Sequence, residues 1–128
     1  MIPRFRAWDK EFKEMVQVDA LVFDGQIIKA TYKNGNVVKE DLKNYILMQS
    51  TGLKDKNGKE IFEGDIIDST DGFLTGVIEF RVSLGMFVSC LVEYNNFERL
   101  CNIASSRKII GNIWEDGELL DGENTEKN

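Results

Sequence analysis

Glu63, Asp65, Asp68 and Asp71 crowd into one short stretch, and carboxylates are the side chains best placed here for acid–base or metal-assisted chemistry. The other routes are closed by composition. The chain has no histidine, which removes Ser-His-Asp and Cys-His triads, histidine bases and the common zinc sites. Cys90 and Cys101 are the only thiols, too few for a zinc or iron–sulfur centre. No phosphate-cradling Gly-x-x-x-x-Gly-Lys loop occurs. The four carboxylates have a simpler reading. Asp65 and Asp68, three apart on a strand, point to opposite faces. Asp65 also follows a turn glycine, where aspartate commonly satisfies turn N–H groups. The turn role is the preferred one, and no catalytic, cofactor-binding or metal-binding residue is expected.

A second constellation opens the chain. In "PRFRAWD", alternation puts Arg4, Arg6 and Trp8 on one face of a strand, with Phe5 and Ala7 on the other. Arginines beside an exposed aromatic can contact phosphates and stack a base. The competing reading has Phe5 and Ala7 in the core, the arginines solvated and Trp8 closing a sheet edge. Lys54, Lys56 and Lys59 form a third candidate surface, on a turn.

Short strands must position these residues. "MVQVDALVF" (15–23) and "QIIKATYK" (26–33) flank an Asp24-Gly25 turn. Asn34-Gly35 signals a hairpin, because both central residues of a type I′ turn need positive φ. "KEDLKN" suits one helical turn before the strand "YILMQ" (45–49). Asp55-Lys56-Asn57-Gly58 places glycine where the backbone must go left-handed, and Glu63-Gly64-Asp65 and Asp71-Gly72 mark further turns. "FLTGVIEFRV" (73–82) and "GMFVSCLVEY" (85–94) read as a long hairpin whose Phe73, Phe80, Phe87, Tyr94 and Phe97 belong to the core. "FERLCNIASS" reads as a short helix or an irregular strand, and "KIIGNIWE" (108–115) as the last strand. No helix longer than about three turns is expected, and glycine turns between short strands suit a small barrel or packed sheets.

Charge is unevenly spread. The net charge is −6, yet Glu115 to Asn128 alone hold six acids and one base, leaving the body at −1. A near-neutral body lacks the broad basic footprint of a nucleic-acid binder. The stretch "DGENTEKN" has no apolar residue and is expected to be a flexible acidic tail. Nothing resembles a signal peptide, no apolar run reaches the ~20 residues of a membrane helix, and two thiols make no disulfide framework, although a Cys90–Cys101 bridge stays open. A reducing cytoplasm is the default compartment.

Three stretches, "IPRFRAWDKEFKEM", "ILMQSTGLKDKNGKEIFEGDII" (46–67) and "IIGNIWED" (109–116), together strongly resemble the YopX-like family of bacteriophage and prophage proteins. Only 68–106 and the tail lack its signatures. The resemblance implies a mostly β protein with an SH3-type small barrel, acting in the cytoplasm of a host cell, and it supplies no activity. The resulting expectation is an N-terminal β-hairpin or meander layer over 1–48, an SH3-like barrel over 49–114, and a short extension with a flexible tail over 115–128. The expected function is a non-enzymatic phage accessory protein that binds a protein partner or its own copies, since exposed sheet edges invite strand pairing. Nucleic-acid binding through Arg4, Arg6 and Trp8 is the alternative, and a carboxylate enzyme the third. No membrane association or cofactor is expected, and the sequence identifies no small-molecule substrate, with a site assembled between subunits left open.

Overall fold

The computed structural model describes residues 4–121. Among them eleven strands form two antiparallel sheets, joined by turns and short helical turns. The protein is therefore mostly β. The chain divides into two compact units, Met1–Ser50 and Thr51–Asn128.

The first unit contains β1 (Phe5–Asp9), β2 (Glu14–Val22), β3 (Ile27–Thr31), β4 (Val37–Asp41) and the start of β5 (Tyr45–Lys54), in the order β4-β3-β2-β1-β5. Alternating apolar residues set the register. Ala7 lies opposite Val16 on one side and Leu47 on the other. Ala7, Val16, Ile28, Ala30 and Tyr45 form the core, with Val18, Leu21 and Leu47 packed against it.

The turns depart from expectation in two places. The left-handed residue between β2 and β3 is Gln26 (φ 56°), not a glycine; its Nε2 donates to the Phe23 carbonyl at 3.0 Å, so its own side chain ties the turn. Between β3 and β4 only Gly35 is left-handed (φ 93°). Asn34 uses its Oδ1 to accept from Asn36 N at 2.9 Å, and Gly35 N donates to the Tyr32 carbonyl. That is a longer loop with one left-handed glycine rather than the expected type I′ turn. The predicted helical turn is present at Leu42–Asn44, capped by Asp41 Oδ1 accepting from Lys43 N.

In the second unit, the end of β5 is followed by β6 (Glu60–Phe62), β7 (Asp65–Asp68), β8 (Gly76–Arg81), β9 (Met86–Leu91), β10 (Phe97–Arg99) and β11 (Lys108–Asn112). Five of these make a sheet in the order β10-β9-β8-β7-β11. Among the described residues no closed barrel forms, contrary to expectation. The outer strands β10 and β11 are not paired, because the chain leaves β10 after three residues for a helical turn, α1 (Leu100–Ile103). The stretch left between helix and strand thus contains both. Leu100 and Ala104 enter the core with Ile61, Ile67 and Ile78.

The buried centre of that core is aliphatic with Phe87 packed against it, which corrects the expected aromatic core in part. Phe87 and Phe97 are half-buried, but Phe73 is 68% exposed and Tyr94 51%, and Phe80 is exposed too. The ladder begins at Gly76 and ends at Leu91, so Phe73 and Tyr94 lie beyond it. Gly76 itself is required by proximity, since a Cβ there would meet Ser89 Oγ at 1.9 Å. Cys90 and Cys101 are both free thiols. Of the expected tail, Gly117–Leu120 forms a 3-10 turn, and 122–128 lie outside the described residues. Among the described residues no helix is long and apolar enough to cross a membrane.

Candidate functional site

The basic strand does not form the predicted stacking surface. β1 lies between β2 and β5, not at an edge. Ala7 and Trp8 are both buried, Trp8 at 6% exposure, so the end of this strand is covered on both faces. A ring so covered cannot take a base. Arg4 is exposed and Arg6 half-buried. Lys54, Lys56 and Lys59 stand exposed in the other unit, where Lys56 Nζ reaches Thr70 Oγ1 at 3.4 Å.

The "KDKNGKE" turn is built around one buried carboxylate. Asp55 Oδ1 accepts from Asn57 N and Lys59 N, both at 2.9 Å, while Oδ2 accepts from Ile109 N of β11 at 3.0 Å. Lys56 N donates to the Arg107 carbonyl at 2.8 Å, and Gly58 takes φ 82°. Burial pushes the Asp55 carboxyl up, but the Ile109, Lys59 and Asn57 amides outweigh it and hold it below the usual carboxylate range. The "IIGNIWED" signature is a second such device. Asn112 Oδ1 accepts from Trp114 N and Glu115 N, and Asp116 Oδ2 accepts from Asn112 N at 3.0 Å. A Cβ at Gly111 would lie 2.5 Å from that Asp116 oxygen, which explains the glycine.

The carboxylates around Glu63 do not converge. Asp65 is buried, and its Oδ2 accepts from Phe62 N at 2.8 Å. Asp68 Oδ1 accepts from Ser69 N, and Asp71 Oδ1 from the Ser69 hydroxyl and Phe73 N. The Ser69 hydroxyl and the Phe73 amide lower the Asp71 carboxyl. Among the described residues no group of three or more Cys, Asp or Glu side chains is arranged to hold a metal ion.

Two features have no signal in the linear sequence. In the first unit Tyr32 Oη donates to Asp9 Oδ2, and Tyr45 Oη to Glu40 Oε1. The two hydroxyls lie 2.7 Å apart. Asp9 Oδ1 also accepts from Glu11 N and Phe12 N, so the same carboxylate shapes the turn after β1. Burial, then the Asp9 carboxylate, pushes Tyr32 up to about 12; burial and Glu40 raise Tyr45 as well. Both remain phenols at neutral pH. In the second unit a surface groove of about 320 Å³ is lined by Phe73, Thr75, Val92, Glu93, Tyr94 and Leu119. Nearby Cys90 is no activated nucleophile, since burial and Glu79 push its thiol up despite Arg81 Nη2 at 3.3 Å.

The model of the YopX protein family matches residues 4–121. The chain is similar to the crystal structure of protein EF1440 from Enterococcus faecalis, with 32% identity, 94% of this chain and 99% of that chain covered, and a TM-score of 0.66. It shares the fold of protein yopX from Bacillus subtilis at 22% identity, covering 91% of this chain and 96% of that one, with a TM-score of 0.55. The comparison with curated proteins gives no match.

Proposed function

Since this chain belongs to the YopX family, we propose that it is a non-enzymatic module that binds a protein partner or its own copies, serving a phage or prophage in the cytoplasm of its host. One observation carries this reading. The polar residues of the signature motifs are spent on the chain's own backbone, while large apolar side chains are turned outward: Phe12, Phe23, Phe73 and Val82 are each more than half exposed. Exposed apolar side chains gathered in one short stretch, as Phe80, Val82 and Leu84 are at the end of β8 and the turn after it, suit macromolecular contact. The phage setting rests on the family resemblance.

Self-assembly has a defined edge. Hydrogen bonds from Tyr32 N to the Asn36 carbonyl and from Leu42 N to the Gln26 carbonyl frame the β3–β4 ladder. Alternation then turns the main-chain N–H and C=O groups of Val37, Lys39 and Asp41 away from β3. Pairing of β4 with a second copy would use them. Light scattering at micromolar concentration tests this: the expected mass exceeds 14.6 kDa, and Lys39→Pro, which removes an outward N–H, returns it to the monomer. A wild-type monomer would remove the self-assembly part. A tagged pull-down from host extract, with and without nuclease, tests partner binding. Proteins retained after nuclease support the module, and recovery that vanishes with nuclease would overturn it.

A further inference from the structure

We propose that the groove between Phe73, Tyr94 and Leu119 is a docking site for a lysine- or arginine-bearing segment of a partner protein. The proposal rests on the protein-binding reading above and gives that binding a place and a chemistry.

The groove has an aromatic and aliphatic floor. Phe73 is 68% exposed, Tyr94 51% and Leu119 42%, around a volume of about 320 Å³. A hydrogen bond from Val92 N to the Thr75 carbonyl at 2.9 Å ties its two long sides together. The third side is the 3-10 turn Gly117–Leu120. Asp71 accepts from Phe73 N at 3.0 Å and so holds the start of the first side. The floor is therefore carried on tied backbone.

Charge selects the occupant. Glu93 lines the groove, and Asp71, Glu118 and Asp121 stand exposed in the segments that form its sides. None of these segments carries a base: the chain has no lysine or arginine from 60 to 80, from 82 to 98, or from 109 to 126. Two bases from other segments stand by the Asp71 loop, Lys56 with its Nζ 3.4 Å from Thr70 Oγ1 and Arg107 in charge contact with Asp71, so the one-sign field rests on Glu93, Glu118 and Asp121. An acidic rim over aromatic faces favours a cationic side chain, which gains from the ring quadrupole and from the carboxylate together. The same field repels nucleic acid and anionic lipid surfaces. A polypeptide fits better than a free cation, because the apolar floor needs aliphatic stem and backbone to cover it.

The test uses the full chain and two fluorescein-labelled octapeptides, alternating alanine with arginine or with its neutral isostere citrulline. Anisotropy titrations are run alongside amide chemical-shift mapping. The arginine peptide is expected to bind more tightly than the citrulline one and to shift Gly72, Phe73, Thr75, Val92 and Tyr94. Glu93→Gln and Tyr94→Ala should each weaken binding roughly threefold to tenfold, with unchanged melting temperatures because both side chains are exposed. Equal affinity for the two peptides, or shifts that avoid the groove, would overturn the proposal. Free arginine competing as well as the peptide would overturn the polypeptide part. Capture of host proteins that persists in the Tyr94→Ala variant would sink the groove while leaving the module intact.

Discussion

The turn at Asp55–Gly58 and the turn at Asp71–Gly72 use the same local chemistry and come to opposite ends. In each, an aspartate Oδ1 accepts from the amide two residues on, Asn57 in one and Phe73 in the other. In each, a glycine goes left-handed, at φ 82° and φ 80°. The difference lies in the second carboxylate oxygen. Asp55 is buried and gives Oδ2 to Ile109 on β11, whereas Asp71 is exposed and its bonds stay within its own loop. One turn is fastened to a distant strand. The other is free to present Phe73. Turn propensity decides the local shape, and two long-range hydrogen bonds, Ile109 N to Asp55 Oδ2 and Lys56 N to the Arg107 carbonyl, fasten the first loop to the framework.

The strongest way to break this contrast is Asp55→Ala. It leaves the Ile109, Lys59 and Asn57 amides without their acceptor, at a cost of about 3 kcal/mol, read as a drop in the denaturant midpoint. Asp71→Ala should leave the midpoint close to wild type. Equal midpoints for the two variants would mean that the Ile109 bond is not what separates the loops.

Acid offers a second test. The Asp55 carboxyl is depressed in the folded chain, so its contribution is present above the unfolded value of about 3.9 and is lost as pH falls through the folded value. Stability measured against pH should therefore decline in acid, and Asp55→Asn should flatten that limb. The glycines sharpen the comparison from the other side. Gly58→Ala and Gly72→Ala should each cost about 1 kcal/mol, because both sites demand positive φ and neither is crowded. A large inequality would show that the two turns differ locally after all. The smallest effect is expected of Phe73→Ser, which should not lower the melting temperature, since the ring packs into no core.

What the sequence reveals follows the range of the interaction that decides it. The left-handed glycines at Gly58, Gly64 and Gly72 are legible because a turn is settled within four residues. The β8–β9 hairpin is legible for the same reason, and so is the 3-10 turn before β5. Trp8 is misjudged because alternation tells which face a residue takes, not that β1 sits in mid-sheet under cover on both sides. The tyrosine pair is hidden because Asp9, Tyr32, Glu40 and Tyr45 meet only through pairing of separate strands. The groove is missed because the hairpin was expected to extend through Phe73 and Tyr94, which would have buried both. The ladder is shorter, and its ends leave them outside.

The bond from Ile109 to Asp55 also sets an order of assembly on the ribosome. All the strand pairings of the first unit lie within the first 50 residues, so that unit can fold while synthesis continues. The second must wait for β11, which supplies both the outer partner of β7 and the amide that Asp55 accepts. At translation speeds of about 5–20 residues per second, β7 and the Asp55 loop spend roughly 2–11 s without it. During that interval Ile66 and Ile67 lie next to an unpaired edge in a nascent chain. That is the period in which a chaperone or a neighbouring nascent copy has the most to bind.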